Sequence, residues 1–148
     1  MSVQSLIRVL LDEADSIDEL IDAVIEQRES IKSGDYAAMQ NLMKHVQDIF
    51  FRIQAQEVQR GRLTESVGKA FQCEPKLSAL SAAVPEMERA LFIGAGDRLS
   101  HSVFALKSEM AILGGLVEQN ERYSAMLLSE WRRLDVGFMR SGGLDFRG

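Results

Sequence analysis

The stretch LSHSVFALKSEMAILGGLVEQNERYSAMLLSEWRRL, residues 99–134, decides the class of fold. Along it Leu99, Val103, Leu106, Met110, Leu113, Val117, Asn120, Ser124, Leu127, Trp131 and Leu134 recur at alternating steps of four and three. Residues spaced in this way share one stripe of an α-helix, and an unbroken 3.5-residue period favours knobs-into-holes packing against partner helices. Standing alone, such a helix would expose its stripe to water. The pattern therefore predicts neighbours, from the same chain or another, and makes this helix the expected centre of the architecture.

Upstream, the apolar positions Leu6, Leu10, Ala14, Ile17, Ile21, Val24 and Ile31 step by threes and fours and are interrupted only by Arg28, which predicts a first long amphipathic helix from Val3 to about Lys32. Its opposite side carries Asp12, Asp15, Glu19, Asp22 and Glu26. Like charges at i,i+4 cost a few tenths of a kcal/mol per pair, roughly, so the stripe is either a solvated face or a docking face for a basic partner. Ser33-Gly34-Asp35 supplies a glycine for the left-handed end of one helix and an aspartate to cap the next. A second helix then runs from about Tyr36 through Met39, Leu42, Val46, Ile49 and Ile53 to Leu63, with Val67 and Phe71 as last core positions. Gly61 and Gly68 predict fraying or a bend in its far half, and Pro75 predicts its end near Gln72.

A short amphipathic piece, Lys76 to Ala83, carries Leu77 and Leu80, and Pro85 suits the first turn of a third long helix. Gly94-Ala95-Gly96-Asp97 is the expected weak point of that helix, with Asp97 able to cap a restart, but a continuous or gently bent helix is the expectation. At 1.5 Å per residue the first helix spans about 45 Å and an unbroken third helix roughly 75 Å, so the first two cannot cover the third along its length. The expectation is an all-α, elongated antiparallel bundle of three long helices with a short helix between the second and third. Residues 1–135 form the helical domain, and 136–148, rich in glycine, read as a flexible tail.

Composition narrows the function. With 46% hydrophobic residues, 26% charged residues and two prolines, the chain belongs with folded proteins. No run reaches the roughly 18 apolar residues of a membrane span, and a basic-then-apolar leader is absent, which predicts a cytoplasmic protein. A formal charge of -5 argues against nucleic-acid binding. Catalysis needs convergent groups. His45 and His101 each lack a second histidine or cysteine one turn away, Gly94 and Gly96 lack the third glycine of a dinucleotide fingerprint, and Cys73 sits beside Glu74, whose charge disfavours a thiolate. No enzyme activity, metal or cofactor is expected.

The informative feature is the polar step Asn120 and Ser124 within an apolar seam, flanked by Leu116, Tyr123, Met126, Leu128 and Trp131. A buried asparagine weakens packing but fixes register and partner. The wide band is either ordinary bundle core or a helix-in-groove site with aromatic anchors and an adaptable methionine.

Three stretches resemble the FlgN-like family of flagellar type III export chaperones: Glu26-Gln27-Arg28-Glu29-Ser30 leading into the Gly34-Asp35 turn; Glu57-Val58-Gln59-Arg60-Gly61-Arg62-Leu63; and Glu118-Gln119-Asn120-Glu121-Arg122-Tyr123-Ser124-Ala125-Met126-Leu127-Leu128. In the third, Tyr123 and Ser124 stand where the family pattern has asparagine and glycine. The resemblance covers residues 6–134. It implies a chaperone that binds the terminal helical region of flagellar hook-associated (junction) proteins, prevents their premature association and delivers them to an export apparatus component. The partner-binding residues expected by this resemblance, together with the wide apolar band, are Leu113, Leu116, Val117, Asn120, Tyr123, Ser124, Leu127, Leu128 and Trp131, with Asp12, Asp15, Glu19 and Asp22 as a second docking face. The rival expectation is a structural coiled coil whose seam pairs with itself, giving a homodimer that buries residues 113–131.

Overall fold

The computed structural model describes residues 2–119 together with 129, 132 and 133. Helix α1, Val3–Ser33, begins where the Ser2 hydroxyl accepts the Ser5 backbone N–H at 3.1 Å. It ends at Gly34, whose φ of 71° is the left-handed conformation glycine adopts without strain. There the Gly34 N–H donates to the Ile31 carbonyl at 3.2 Å and the Asp35 N–H to that of Ser30 at 3.0 Å, satisfying carbonyls that the helix end leaves open. The Asp35 carboxylate accepts the Ala38 N–H at 3.0 Å and starts α2, Tyr36–Ala70, so adjacent residues close one helix and open the next.

Helix α2 passes unbroken through Gly61 and Gly68. Gly68 has a positive reason to lack a side chain: a Cβ there would lie 3.2 Å from the Cys73 carbonyl oxygen and 3.3 Å from the Pro75 Cα. The chain folds back against the helix at this point, with the Cys73 N–H bonded to the Gly68 carbonyl at 2.9 Å and Gln72 at a φ of 54°. Helix α3, Leu77–Ala83, buries Leu77 and Leu80, and α4, Glu86–Glu118, follows Pro85 at its N-cap. Gly94-Ala95-Gly96-Asp97 does not break α4, which is the continuous helix expected despite the glycines. Ala95 and Gly96 lie on its buried side, where packing outweighs the roughly 1 kcal/mol that each glycine costs in helix propensity.

The centre of the bundle is α1, not α4. Helices α2 and α4 pack along α1 and barely touch each other among the described residues. Accordingly α1 buries fourteen residues and α4 nine. Directions follow from named pairs. Glu19 meets Arg52 and Gln27 meets Met43, so α2 is antiparallel to α1. Asp15 meets Arg98, Asp18 meets Ser102 and Arg28 meets Glu109, at separations of 83, 84 and 81 residues, so α4 runs parallel to α1 in an up-down-up arrangement. A separation near 83 sets the end of α1, Ser33, level with Leu116. The expected tail, 136–148, lies outside the described residues.

The core shows a regularity beyond the one read from α4. On α1, Val3, Leu6, Leu10, Glu13, Ile17, Leu20, Val24, Gln27 and Ile31 are all buried at alternating steps of three and four. On α2 the same holds for Met39, Met43, Val46, Phe50, Ile53, Glu57, Arg60, Thr64 and Val67. The seam of α1 therefore runs through Leu20 and Gln27 where Ile21 and Arg28 were expected; Ile21 is half-buried and Arg28 reaches across to Glu109 at 2.6 Å.

Candidate functional site

The expected partner-binding stretch begins on the last turns of α4. Leu113 and Val117 are each 1% exposed and belong to the hydrophobic core. Leu116 is half-buried and Ile112 is 52% exposed, so apolar surface turns outward just where α1 ends. Asn120, Tyr123, Ser124, Leu127, Leu128 and Trp131 lie outside the described residues. In sequence, the apolar repeat continues past that point to Leu134.

The acidic face is built differently from a row of free carboxylates. Asp12, Asp15, Glu19 and Asp22 are all exposed, but cations from both neighbouring helices reach over to two of them. Arg52 of α2 pairs with Glu19. Arg98 of α4 pairs with Asp15, reaches Asp18 at 3.1 Å and donates to the Leu11 carbonyl at 3.2 Å. These contacts hold Arg98 more firmly protonated, first through its hydrogen bond to Asp15. Among the described residues Asp12 and Asp22 have no ion-pair partner, so the stripe is partly neutralised and its open part is small.

The sequence reading missed a polar cluster sealed between α1 and α2. Glu13 is 0% exposed, Arg60 2% and Glu57 6%. The Arg60 guanidinium donates from Nε and Nη2 to Glu57 Oε2 at 2.9 and 2.6 Å, whereas its Nε stands 3.6 Å from Glu13 Oε1, too far for a hydrogen bond. Thr64 donates its hydroxyl to the Arg60 carbonyl at 2.7 Å. Neither carboxyl oxygen of Glu13 receives a hydrogen bond. Burial, and then the charge of Glu57, push the Glu13 carboxyl up to about 9, so it holds its proton at neutral pH. The signal was present in sequence: Glu13 falls on the seam of α1, and Glu57 and Arg60 fall on that of α2.

Chemically, this arrangement offers helix faces and a buried polar layer. Among the described residues no group of three or more histidine, cysteine or acidic side chains could hold a metal ion. No helix among them is long and apolar enough to cross a membrane. A model of the FlgN protein family matches residues 1–137. The chain belongs to the FlgN family. FlgN proteins are flagellar export chaperones and not enzymes, and the described residues of this member are all-α with long helices. No curated protein and no solved structure matches this FlgN-family chain.

Proposed function

We propose that this FlgN-family chain is a cytoplasmic chaperone that binds the terminal helical region of flagellar hook-filament junction proteins, keeps them from associating early and delivers them to the export apparatus. The reading rests on one observation: α1 ends level with Leu116, while the apolar repeat of α4 continues in sequence for about eighteen residues, to Leu134. An apolar repeat that continues in sequence beyond the level of the end of α1 calls for a partner helix, and covering a client's apolar helix removes surface that would otherwise aggregate. Asn120, Tyr123, Ser124, Leu127, Leu128 and Trp131 are the contact residues in this proposal, with Leu116 at its near edge. Asp12 and Asp22 remain a smaller candidate face for the export machinery.

The rival self-paired coiled coil is disfavoured, because Leu113 and Val117 are already buried in the chain's own core. The test is size-exclusion chromatography with light scattering, on the protein alone and with the terminal helical fragment of a junction protein. A defined complex that is lost in Leu127→Asp, with the circular dichroism unchanged, supports the proposal. A protein that ignores the fragment at concentrations where both are folded overturns it.

A further inference from the structure

Helix α1 is held by its two neighbours in different ways. Toward α4 the polar contacts are closed hydrogen bonds at the rim of the interface: Arg28 to Glu109 at 2.6 Å, Ser102 to the Asp18 carboxylate at 2.7 Å, and Arg98 to Asp18 and to the Leu11 carbonyl at 3.1 and 3.2 Å. Toward α2 the polar groups lie inside the seam. Leu6, Glu13, Leu20 and Gln27 recur every seven residues and are all buried, and Glu13 and Gln27 both meet α2. Gln27 donates to the Met43 sulfur at 3.1 Å, a weak acceptor, while its Oε1 receives no hydrogen bond. Glu13 receives none at either oxygen, and Gln56 of α2 none at Oε1. Buried polar groups left open in this way cost the closed state free energy that water returns on opening.

The architecture leaves α2 free to part from α1 by itself. Helices α2 and α4 barely touch among the described residues, so the α1 and α4 pair loses little when α2 moves. Once off α1, α2 has no packing to hold it, and an isolated helix carrying Gly61 and Gly68 is marginal in water. The charged groups that face Glu13 come from α2, namely Glu57 and Arg60, and the cation is already engaged by Glu57 at 2.6 Å. On α4 the residues level with Glu13, Ala95 and Gly96, are uncharged, and Arg98 is held away on Asp15 and Asp18.

We propose that α2 is the releasable helix of this bundle, and that the layer of Glu13, Glu57 and Arg60 is the point at which it parts from α1 while α4 stays docked. Release bares Leu6 and Leu20 on α1, part of an apolar stripe that another helix can cover. The open form is a minor state, because closing also buries Val46, Ile53 and Val67 of α2. Opening hydrates Glu13, whose carboxyl holds its proton up to about 9 in the closed bundle and returns toward the ordinary 4.5 in water. A proton is therefore released on opening, and rising pH favours the open form by about tenfold per unit between those values. The inference does not rest on the chaperone reading.

Native-state amide hydrogen exchange on the full chain tests this, read by mass spectrometry of proteolytic fragments from about pH 6 to 8 and corrected for the intrinsic pH dependence of exchange. Fragments of α2 should be less protected than those of α4 by about tenfold or more, and the α2 protection should fall by about tenfold per pH unit. Glu13→Gln keeps the side chain's shape and has no proton to release. It should abolish that pH dependence and slow α2 exchange at about pH 7 by tenfold or more. Equal protection of α2 and α4 at every pH overturns the proposal, because the bundle then opens as one unit. An α4 less protected than α2 overturns it too, since the wrong helix is then the one released. A pH-independent α2 protection, or a pH dependence that survives Glu13→Gln, overturns the role of the Glu13 layer.

Discussion

Replacing Glu13 by glutamine should make the protein more stable at neutral pH, and the gain should grow with pH. The carboxyl is fully enclosed, with Glu57 and Arg60 facing it from α2 and no hydrogen bond to either oxygen. Its proton is held up to about pH 9 in the folded chain, against an ordinary value of 4.5. Between these two values the unfolded chain has released a proton that the folded chain retains. Unfolding therefore becomes easier as pH rises, by at most about 1.4 kcal/mol per pH unit. At pH 7 the accumulated cost is about 3 kcal/mol, fading toward zero below the ordinary carboxyl value of 4.5. Glutamine keeps the shape, carries no charge to bury, and can donate its amide to Glu57. Urea unfolding followed by circular dichroism at about pH 5, 6, 7 and 8 measures the difference between variant and parent, in which other titrating groups cancel. The expected difference rises steadily with pH, and at pH 7 it corresponds to a melting temperature higher by about 5–10 °C for a chain of this size. A difference that is flat across this range, or a variant less stable than the parent at its alkaline end, would refute the reasoning that Glu13 is held neutral.

Three further outcomes follow from the backbone and the core. Gly61→Ala should stabilise the protein by about 0.5–1 kcal/mol, because nothing lies within 4 Å of the added methyl, whereas Gly68→Ala should give no such gain because its Cβ would press on the Cys73 carbonyl; paired urea melts of the two variants decide it. Gln72→Gly should stabilise by about 0.5–1 kcal/mol, since a non-glycine residue there holds a positive φ of 54°, and thermal denaturation reads the change. Val117→Asp should cost about 3 kcal/mol or more by placing an unpaired charge in the core against α1, visible as a lowered midpoint, and so it cannot serve as a clean probe of client binding.

The polar interruptions of the seams show where sequence reading and structure part. Period alone places Glu13, Gln27, Glu57 and Arg60 on the buried stripes as firmly as it places Leu10 or Ile53. A count of apolar residues instead slides the phase to the neighbouring Ile21 and steps around the glutamate, because hydropathy weighs each residue without asking what stands across from it. Across from Glu13 stands Arg60, which belongs to a different helix and approaches from the far half of α2. Burying a carboxyl is tolerable there because its proton stays on and the cation beside it already pairs with Glu57. A one-dimensional period carries no record of either condition. The repeat on α4 was legible for a similar reason and to a similar depth: it marks Leu113 and Val117 as helix-facing positions, but not that they join the chain's own core.

Features set by near neighbours in the chain could be read along it. Ser2, Gly34 and Asp35 fix helix ends through hydrogen bonds that span three to five residues, and the 3.5-residue periods fix which stripe of each helix is buried. Tertiary packing decided the rest. It placed α1 between α2 and α4, although the longest unbroken repeat in the sequence, Leu99 to Leu134, starts on α4. It carried α4 straight through Gly94 and Gly96, because contacts with α1 outweigh a local propensity of about 1 kcal/mol per glycine. It brought Arg52 and Arg98 onto the acidic stripe from two different helices and enclosed Glu13 beside Glu57 and Arg60. In each case the deciding partner is distant in sequence, and only the packing of whole helices determines which distant groups meet.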